Sequence, residues 1–139
     1  MDDFRLSRQD NTMALEFSSA YPHIDRAVEE LLAFVEGLEV SIQTFDMNLI
    51  LREGLNNAVE HGNKLDQARH VRCVMTVETD RLSITIEDEG EGFDWQYRQS
   101  GQIDARTARG KGLLLMEAYG FQVVYNTKGN ILHLCKELV

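Results

Sequence analysis

The chain of 139 residues is long enough for one domain with a hydrophobic core, because about two thirds of the unfolded surface can be buried at this size. A formal net charge of -9 repels a phosphate backbone, which argues against nucleic acid as a direct partner. The longest apolar runs fall far short of a membrane span, so we expect a cytoplasmic protein without membrane contact. Cys73 and Cys135 lack paired or metal-type spacing and are expected to be reduced thiols.

Apolar periodicity predicts one strand and two helices in the first half of the chain. Weak alternation favours a strand at 12–20, and no element is predicted in the polar segment before it. Apolar residues at helical spacing predict a helix over about 24–38, which Pro22 is well placed to start. A second helix runs from about Thr44 to Gly62. Its buried side is predicted to consist of Met47, Leu51, Leu55, Ala58 and Val59.

The second half of the chain reads as strands around a long polar segment. Segments 69–78 and 81–88 alternate with period two and meet at a Thr-Asp tip, which is typical of a hairpin. The segment 89–112 is too long for an ordinary connecting loop, so we expect it to be functional. The remaining elements are a short helix and two strands, at 113–120, 121–126 and 130–138. The predicted fold is α/β (α+β): a two-layer sandwich of helices on one face of a mixed, mainly antiparallel sheet.

The first polar cluster lies in the second helix, in the stretch REGLNNAVEHG. Glu53 and Asn57 are four residues apart and share one helix face, and His61 follows four residues later. A carboxylate that can take a proton, beside an amide oxygen that can bind a hard cation, suits metal-assisted chemistry on a phosphate or water. A solvated helix face with a capping histidine is the alternative. Gly54 is costly in a helix interior, and the sequence offers no reason for it.

The second cluster is DEGEGFD, at the end of an apolar strand. Gly90 and Gly92 allow close approach of a ligand, and Asp88 can accept a hydrogen bond from an amino group of a base. A plain glycine turn is the alternative.

The third cluster, ARGKGLLLM, is predicted to be a glycine-rich turn that leads into a helix. Its free N–H groups and the side chains of Lys111 and Arg109 favour an anion site, and phosphate is the anion that we expect there.

Three familiar loop motifs are excluded. A calcium loop of the EF-hand type that begins at Asp88 would need a glutamate where Gln99 stands. A P-loop would need glycine at Ala105 and serine or threonine at Gly112, and a dinucleotide fingerprint would need glycine or alanine at Leu115. A ligand at these glycine-rich segments must therefore be held in another way.

In their order and spacing, the three clusters resemble the Bergerat-fold ATPases, which include histidine-kinase catalytic domains, gyrase-type ATPases and molecular chaperones. Among these, the chain looks most like the small serine kinases that act as anti-sigma factors in bacterial partner-switching systems. The resemblance covers about residues 13–136 and depends on EGLNNAVEHGN, DEGEGFD and GKGLLLM. It implies one histidine-kinase-like ATPase domain over 1–139, with a flexible ATP lid at about 95–111.

The resemblance also implies the roles of the site residues. Glu53 would be the catalytic general base toward a substrate serine, and Asn57 would bind magnesium beside ATP. Asp88 would recognise the adenine amino group, in a pocket shaped by Gly90 and Gly92. The phosphates would be held by a second glycine box and the lid, at Arg109, Gly110, Lys111 and Gly112. Departures from the family pattern are Lys111 for arginine, Gly54 for alanine and Asn130 for threonine.

The function that the resemblance implies is that of an ATP-dependent serine kinase. Its substrate would be a STAS-type anti-sigma factor antagonist, and it would sequester a sigma factor or another regulator as a homodimer. The alternative is a nucleotide-responsive sequestering module with little or no kinase activity. A detached sensor histidine kinase fits less well, because no phosphoacceptor helix pair precedes Met13. Gyrase-type and chaperone ATPases would require further domains.

Overall fold

The computed structural model describes residues 3–38, 43–93 and 108–138, which form a sheet and a layer of helices. The strands are β1 Phe4–Gln9, β2 Thr12–Ser18, β3 His70–Val77, β4 Arg81–Glu87, β5 Gln122–Tyr125 and β6 Ile131–Glu137. The helices are α1 Tyr21–Gly37, α2 Thr44–Asn56 and α3 Ala108–Ala118. No helix in these described ranges is both long enough and apolar enough to cross a membrane.

The sheet has the strand order β1-β2-β3-β4-β6-β5. Every pairing between described strands is antiparallel, so the α+β fold is confirmed but the sheet is not mixed as predicted. The reason is that β6 runs antiparallel to β4, although α3 and β5 lie between them in the chain. The end of β4 therefore lies beside the start of β6.

Strand β1 is absent from the sequence prediction. It pairs with β2 from Phe4 opposite Phe17 to Gln9 opposite Thr12, across a two-residue turn in which Asp10 has a φ of 50°. Only Phe4 is buried, at 6% exposure, so this edge strand has almost no apolar alternation. The Asp-Asn pair between two extended segments is the turn signal that could have revealed it.

One face of the sheet and the inner faces of the helices form the core. The buried side chains of β3 are the alternating residues that share one face, as its period-two pattern predicts: Val71, Cys73, Met75 and Val77. The predicted inner side of the second helix is buried as well, from Met47 to Val59. On the opposite face of the sheet, Arg72 pairs with Glu16 at 2.8 Å. The helices therefore pack on one side, as predicted.

The second helix ends at Gly62 as predicted, but the geometry of its last turn and the start of α3 differ from the sequence prediction. After Asn56, helix α2 continues as one π-helical turn over Asn57–Gly62, and left-handed backbone begins only at Lys64 and Leu65, with φ of 54° and 58°. Helix α3 begins at Ala108 rather than near Leu113. Its glycine box therefore lies inside the helix, not in a turn before it. Single π-helical turns are frequent at functional sites.

Candidate nucleotide-binding site

The start of α3 lies directly against the polar face of α2. A Cβ on Gly112 would be only 2.7 Å from Glu53 Oε2 and 3.5 Å from Asn57 Nδ2. Glu53 is half-buried, whereas Asn57 is buried at 3% exposure. The absence of a side chain at Gly112 thus lets the first and third clusters come together, although Gly112 is more than 50 residues from Glu53 and Asn57 in sequence.

Asp88 of the second cluster adjoins the end of the π-helical turn. It is 5% exposed, and its Oδ1 accepts a hydrogen bond of 2.9 Å from the backbone N–H of Gly90. A Cβ on Gly62 would overlap the Asp88 carboxylate, lying 2.8 Å from Oδ1 and closer still to Oδ2. Gly62 does not have positive φ, so it is needed for this close approach and not for the backbone turn that ends the helix.

Gly92 packs the rest of this loop against the turn before β6. Its φ of 80° lies in the left-handed region, and a Cβ would overlap the carbonyl group of Lys128. The backbone N–H of Phe93 donates to the Lys128 carbonyl at 3.1 Å, and the Phe93 ring meets Tyr125 edge to face. Gly90 and Gly92 therefore let the loop lie closely between α2 and the β5–β6 turn.

The predicted phosphate-binding residues lie in the first turns of α3. Gly110 is buried, and Lys111 is exposed to solvent. The side chain of Arg109 and most of the predicted lid at 95–111 lie outside the described residues. His61, at the other helix end, is exposed.

The match to a known family agrees with this arrangement. The profile of the histidine kinase-like ATPase domain matches residues 17–136, a span that contains all three clusters. The chain belongs to this family of ATPase domains.

Several curated proteins are similar to this ATPase domain. Serine-protein kinase RsbW of Bacillus subtilis (strain 168) is 32% identical over 102 residues, which are 67% of this chain and 64% of that protein. Serine-protein kinase RsbW of Bacillus licheniformis is 34% identical over 80 residues, 52% of this chain and 50% of that protein. Anti-sigma F factor of Clostridium perfringens (strain SM101 / Type A) is 31% identical over 86 residues, 61% of each. The chain thus spans between half and two thirds of these relatives.

The donor atoms of the ATPase domain suit a cation that is held largely by its nucleotide. Within the described parts of the chain, no group of three or more His, Cys, Asp or Glu side chains could hold a metal ion. The side-chain amide of Asn57 lies beside the Glu53 carboxylate, since both approach the Cβ position of Gly112, Asn57 with its Nδ2 at 3.5 Å and Glu53 with its Oε2 at 2.7 Å. Magnesium commonly takes one or two protein oxygens and completes its octahedron with water and substrate phosphates, so these residues fit it.

Three asparagines whose roles are not evident from the sequence organise the loops of the site. Asn63 is fully buried and donates to Ser19 Oγ at 2.8 Å and to the His70 carbonyl at 3.0 Å. Asn126 Oδ1 accepts from three backbone N–H groups of the β5–β6 turn, and Asn130 Nδ2 donates to the Asp88 carbonyl. Their signal in the sequence is only an asparagine after a helix-ending glycine, and two asparagines that flank a turn.

Gly54 has a packing explanation. A Cβ there would be 2.7 Å from Ile86 Cδ1 on β4, and 3.6 and 3.8 Å from Met116 and Leu132 on α3 and β6. Helix α2 therefore lies unusually close to the sheet at the residue next to Glu53.

Proposed function

We propose that this ATPase domain is a protein serine kinase that transfers the γ-phosphoryl group of ATP to a protein substrate. The observation that carries the proposal is the contact of Gly112 with Glu53 and Asn57, which joins a carboxylate, an amide and a helix start. Two of the relatives are named serine-protein kinases, which supports the same chemistry.

Glu53 acts as the general base. As the substrate serine Oγ forms its bond to the γ-phosphorus, Glu53 takes the hydroxyl proton and the bond from phosphorus to the ADP oxygen breaks. The half-buried carboxylate lies beside Gly112 near the start of α3, where the phosphates would bind, so the proton acceptor and the phosphoryl group would be held together. Positioning and electrostatics supply most of the rate in phosphoryl transfer.

Asn57 and the α3 start hold the charged end of the nucleotide. The Asn57 amide would hold a magnesium ion, which would supply neutralisation of the phosphate charge. Lys111, with backbone N–H groups of the glycine box, would bind the phosphate oxygens. Lysine at 111 supplies charge but not the bidentate geometry of arginine.

Asp88 recognises the base. Its carboxylate accepts a hydrogen bond from the 6-amino group of adenine, a group that guanine replaces with an acceptor oxygen. Gly62, Gly90 and Gly92 leave the loop and helix close enough to form this side of the pocket. A site built to pair one polar group of its ligand discriminates strongly against ligands that lack it.

The substrate that we propose is a small STAS-type antagonist, and the sequestered partner is a sigma factor or another regulator. The resemblance to anti-sigma factor kinases and the relative named anti-sigma F factor support this assignment. A homodimer is part of the same proposal.

Replacing Glu53 with glutamine tests the catalytic role. Glutamine keeps the shape but cannot accept the proton, so we expect phosphoryl transfer to fall by about 100- to 10,000-fold while ATP affinity stays within a few fold. The assay measures transfer from labelled ATP to candidate antagonist proteins, together with ATP binding by calorimetry. Glu60→Gln is the matched control, because Glu60 is an exposed carboxylate on the same helix.

The outcomes separate the proposed kinase from a sequestering module. Full transfer by Glu53→Gln would contradict the role of this residue. Nucleotide-dependent capture of a regulator, without transfer by the wild-type protein, would favour the sequestering module.

A further inference from the structure

The peptide bond that follows Asp88 is held on both sides by asparagine side chains. Its carbonyl oxygen, on Asp88, accepts a hydrogen bond of 3.0 Å from Asn130 Nδ2. Its N–H, on Glu89, donates to Asn63 Oδ1 at 2.7 Å. One peptide plane is thus held by one residue after the π-helical turn and another before β6.

Asn63 is itself anchored. Its Nδ2 donates both to Ser19 Oγ, just after β2, and to the His70 carbonyl, at the start of β3. Its side chain cannot rotate toward or away from Glu89 without breaking those two bonds, and it is fully buried. Asn63 therefore ties the loop after Asp88 to the ends of two strands of the sheet.

Asn130 is anchored on the opposite side. Asn126 Nδ2 donates to Asn130 Oδ1 at 2.8 Å, which orients the Asn130 amide with Nδ2 toward Asp88. The backbone carbonyl of Asn130 also accepts from the N–H of Asp88 at 2.9 Å, so the β4–β6 ladder extends to this residue pair. Both peptide planes beside Asp88 are consequently fixed.

We propose that Asn63 and Asn130 are positioning residues that aim the Asp88 carboxylate at the amino group of the base, and so determine nucleotide selectivity. This inference rests on the proposed ATP site. The direction of the Asp88 side chain depends on the rotation of the peptides on either side of its Cα. Holding those peptides keeps the carboxylate aligned before ligand arrives, which reduces the ordering cost of binding.

The test compares ATP with purine riboside triphosphate, which has the same sugar and phosphates but lacks the 6-amino group. The wild-type protein should bind ATP at least about tenfold more tightly, because an unmade hydrogen bond leaves a buried acceptor unsatisfied. In Asn130→Ala, the ratio of the dissociation constant of purine riboside triphosphate to that of ATP should fall to within about twofold of unity. A general loss of folding or of phosphate binding would weaken the binding of both triphosphates and leave the ratio of their affinities unchanged.

Asn11→Ala is the matched control. Asn11 Nδ2 also donates to a backbone carbonyl at 3.0 Å, that of Val77, but at the opposite end of the sheet. The Asn11→Ala variant loses the same kind of hydrogen bond as Asn130→Ala but leaves Asp88 unaffected. Its ratio of affinities for the two triphosphates should therefore equal that of the wild type. Asn63→Ala should behave like Asn130→Ala, and circular dichroism verifies that each variant is folded.

Each outcome decides between distinct failures. A wild-type ratio retained in folded Asn130→Ala would overturn the positioning role while leaving the ATP site intact. A wild-type protein that binds neither triphosphate would overturn the proposed function itself. A collapse of the ratio in Asn11→Ala as well would show that general loosening of the sheet, and not the two asparagines, controls selectivity.

Discussion

Replacing Gly54 with alanine would place a Cβ 2.7 Å from Ile86 Cδ1. Carbon atoms in favourable contact are about 3.5–4.0 Å apart, so one of the two must move. Overpacking of this kind costs about 1–3 kcal/mol, whereas alanine gains about 1 kcal/mol over glycine in a helix interior. The expected net change in the free energy of unfolding is a loss of up to about 2 kcal/mol.

Removal of the Ile86 Cδ1 atom should change the effect of Gly54→Ala on the free energy of unfolding from destabilising to stabilising. Ile86→Val alone is expected to cost about 0.5–1.5 kcal/mol. In that background, the atoms left closest to the new Cβ are Met116 Cε at 3.6 Å and Leu132 Cδ2 at 3.8 Å, both ordinary contacts. Gly54→Ala should then stabilise the protein by about 1 kcal/mol, the full gain in helix propensity.

Urea unfolding of the four proteins in this cycle measures the coupling. We expect the double variant to be more stable than the sum of the single changes by about 1–3 kcal/mol, with unchanged denaturant slopes. Ile84→Val is the control, because Ile84 is buried two residues away on the same strand but is not among the atoms closest to Gly54. Additivity within about 0.5 kcal/mol in the Ile86 cycle would refute the packing explanation.

Two further changes test the site and the core. Gly112→Ala would bring a Cβ 2.7 Å from Glu53 Oε2, so kcat for phosphoryl transfer should fall at least about tenfold. The melting temperature should not decrease, because alanine favours the helix more than glycine does. An unchanged kcat would contradict the contact between Gly112 and Glu53. Burial raises the pKa of Cys73 from 9.0 to about 12, so the unfolded chain loses its thiol proton first and stability declines as pH rises above 9.0. By pH 10 the loss should be about 1.4 kcal/mol relative to Cys73→Val in urea unfolding, and an equal decline in both proteins would contradict it.

The sequence predicts the inner elements well because their burial is periodic. Helix α1 and the inner side of α2 have apolar residues every three or four positions, and β3 and β4 alternate with period two. Strand β1 lacks such a periodic pattern, since five of its six residues are exposed. An edge strand is held by backbone pairing, which leaves little trace in side-chain pattern.

The start of α3 is mispredicted for a different reason. Glycine disfavours helix interior, so Gly110 and Gly112 read as a turn. Close contact with Glu53 and Asn57 requires a residue without Cβ at 112, and the helix accepts its poor propensity there. Tertiary contact outweighs local preference at this point.

The sequence indicates the chemically reactive side chains, but not what supports them. Glu53, Asn57 and Asp88 stand out because their types and order match a known pattern. The bonds from Asn63 and Asn130 to the peptide after Asp88 join segments 26 and 42 residues apart, and no local spacing encodes them. Such contacts become visible only once the sheet order is known.

The anomalies of the second helix share one physical cause. Gly54 contacts the sheet, Asn57 meets α3, Gly62 adjoins Asp88, and Asn63 joins the strand ends to the loop. Gly54, Asn57 and Gly62 break a local helix preference where another element comes close, and Asn63, just after the helix, bonds to backbone groups of other elements. Residues chosen for helix propensity would strengthen the helix alone but would push away the elements that complete the site, which is the usual trade of stability against activity.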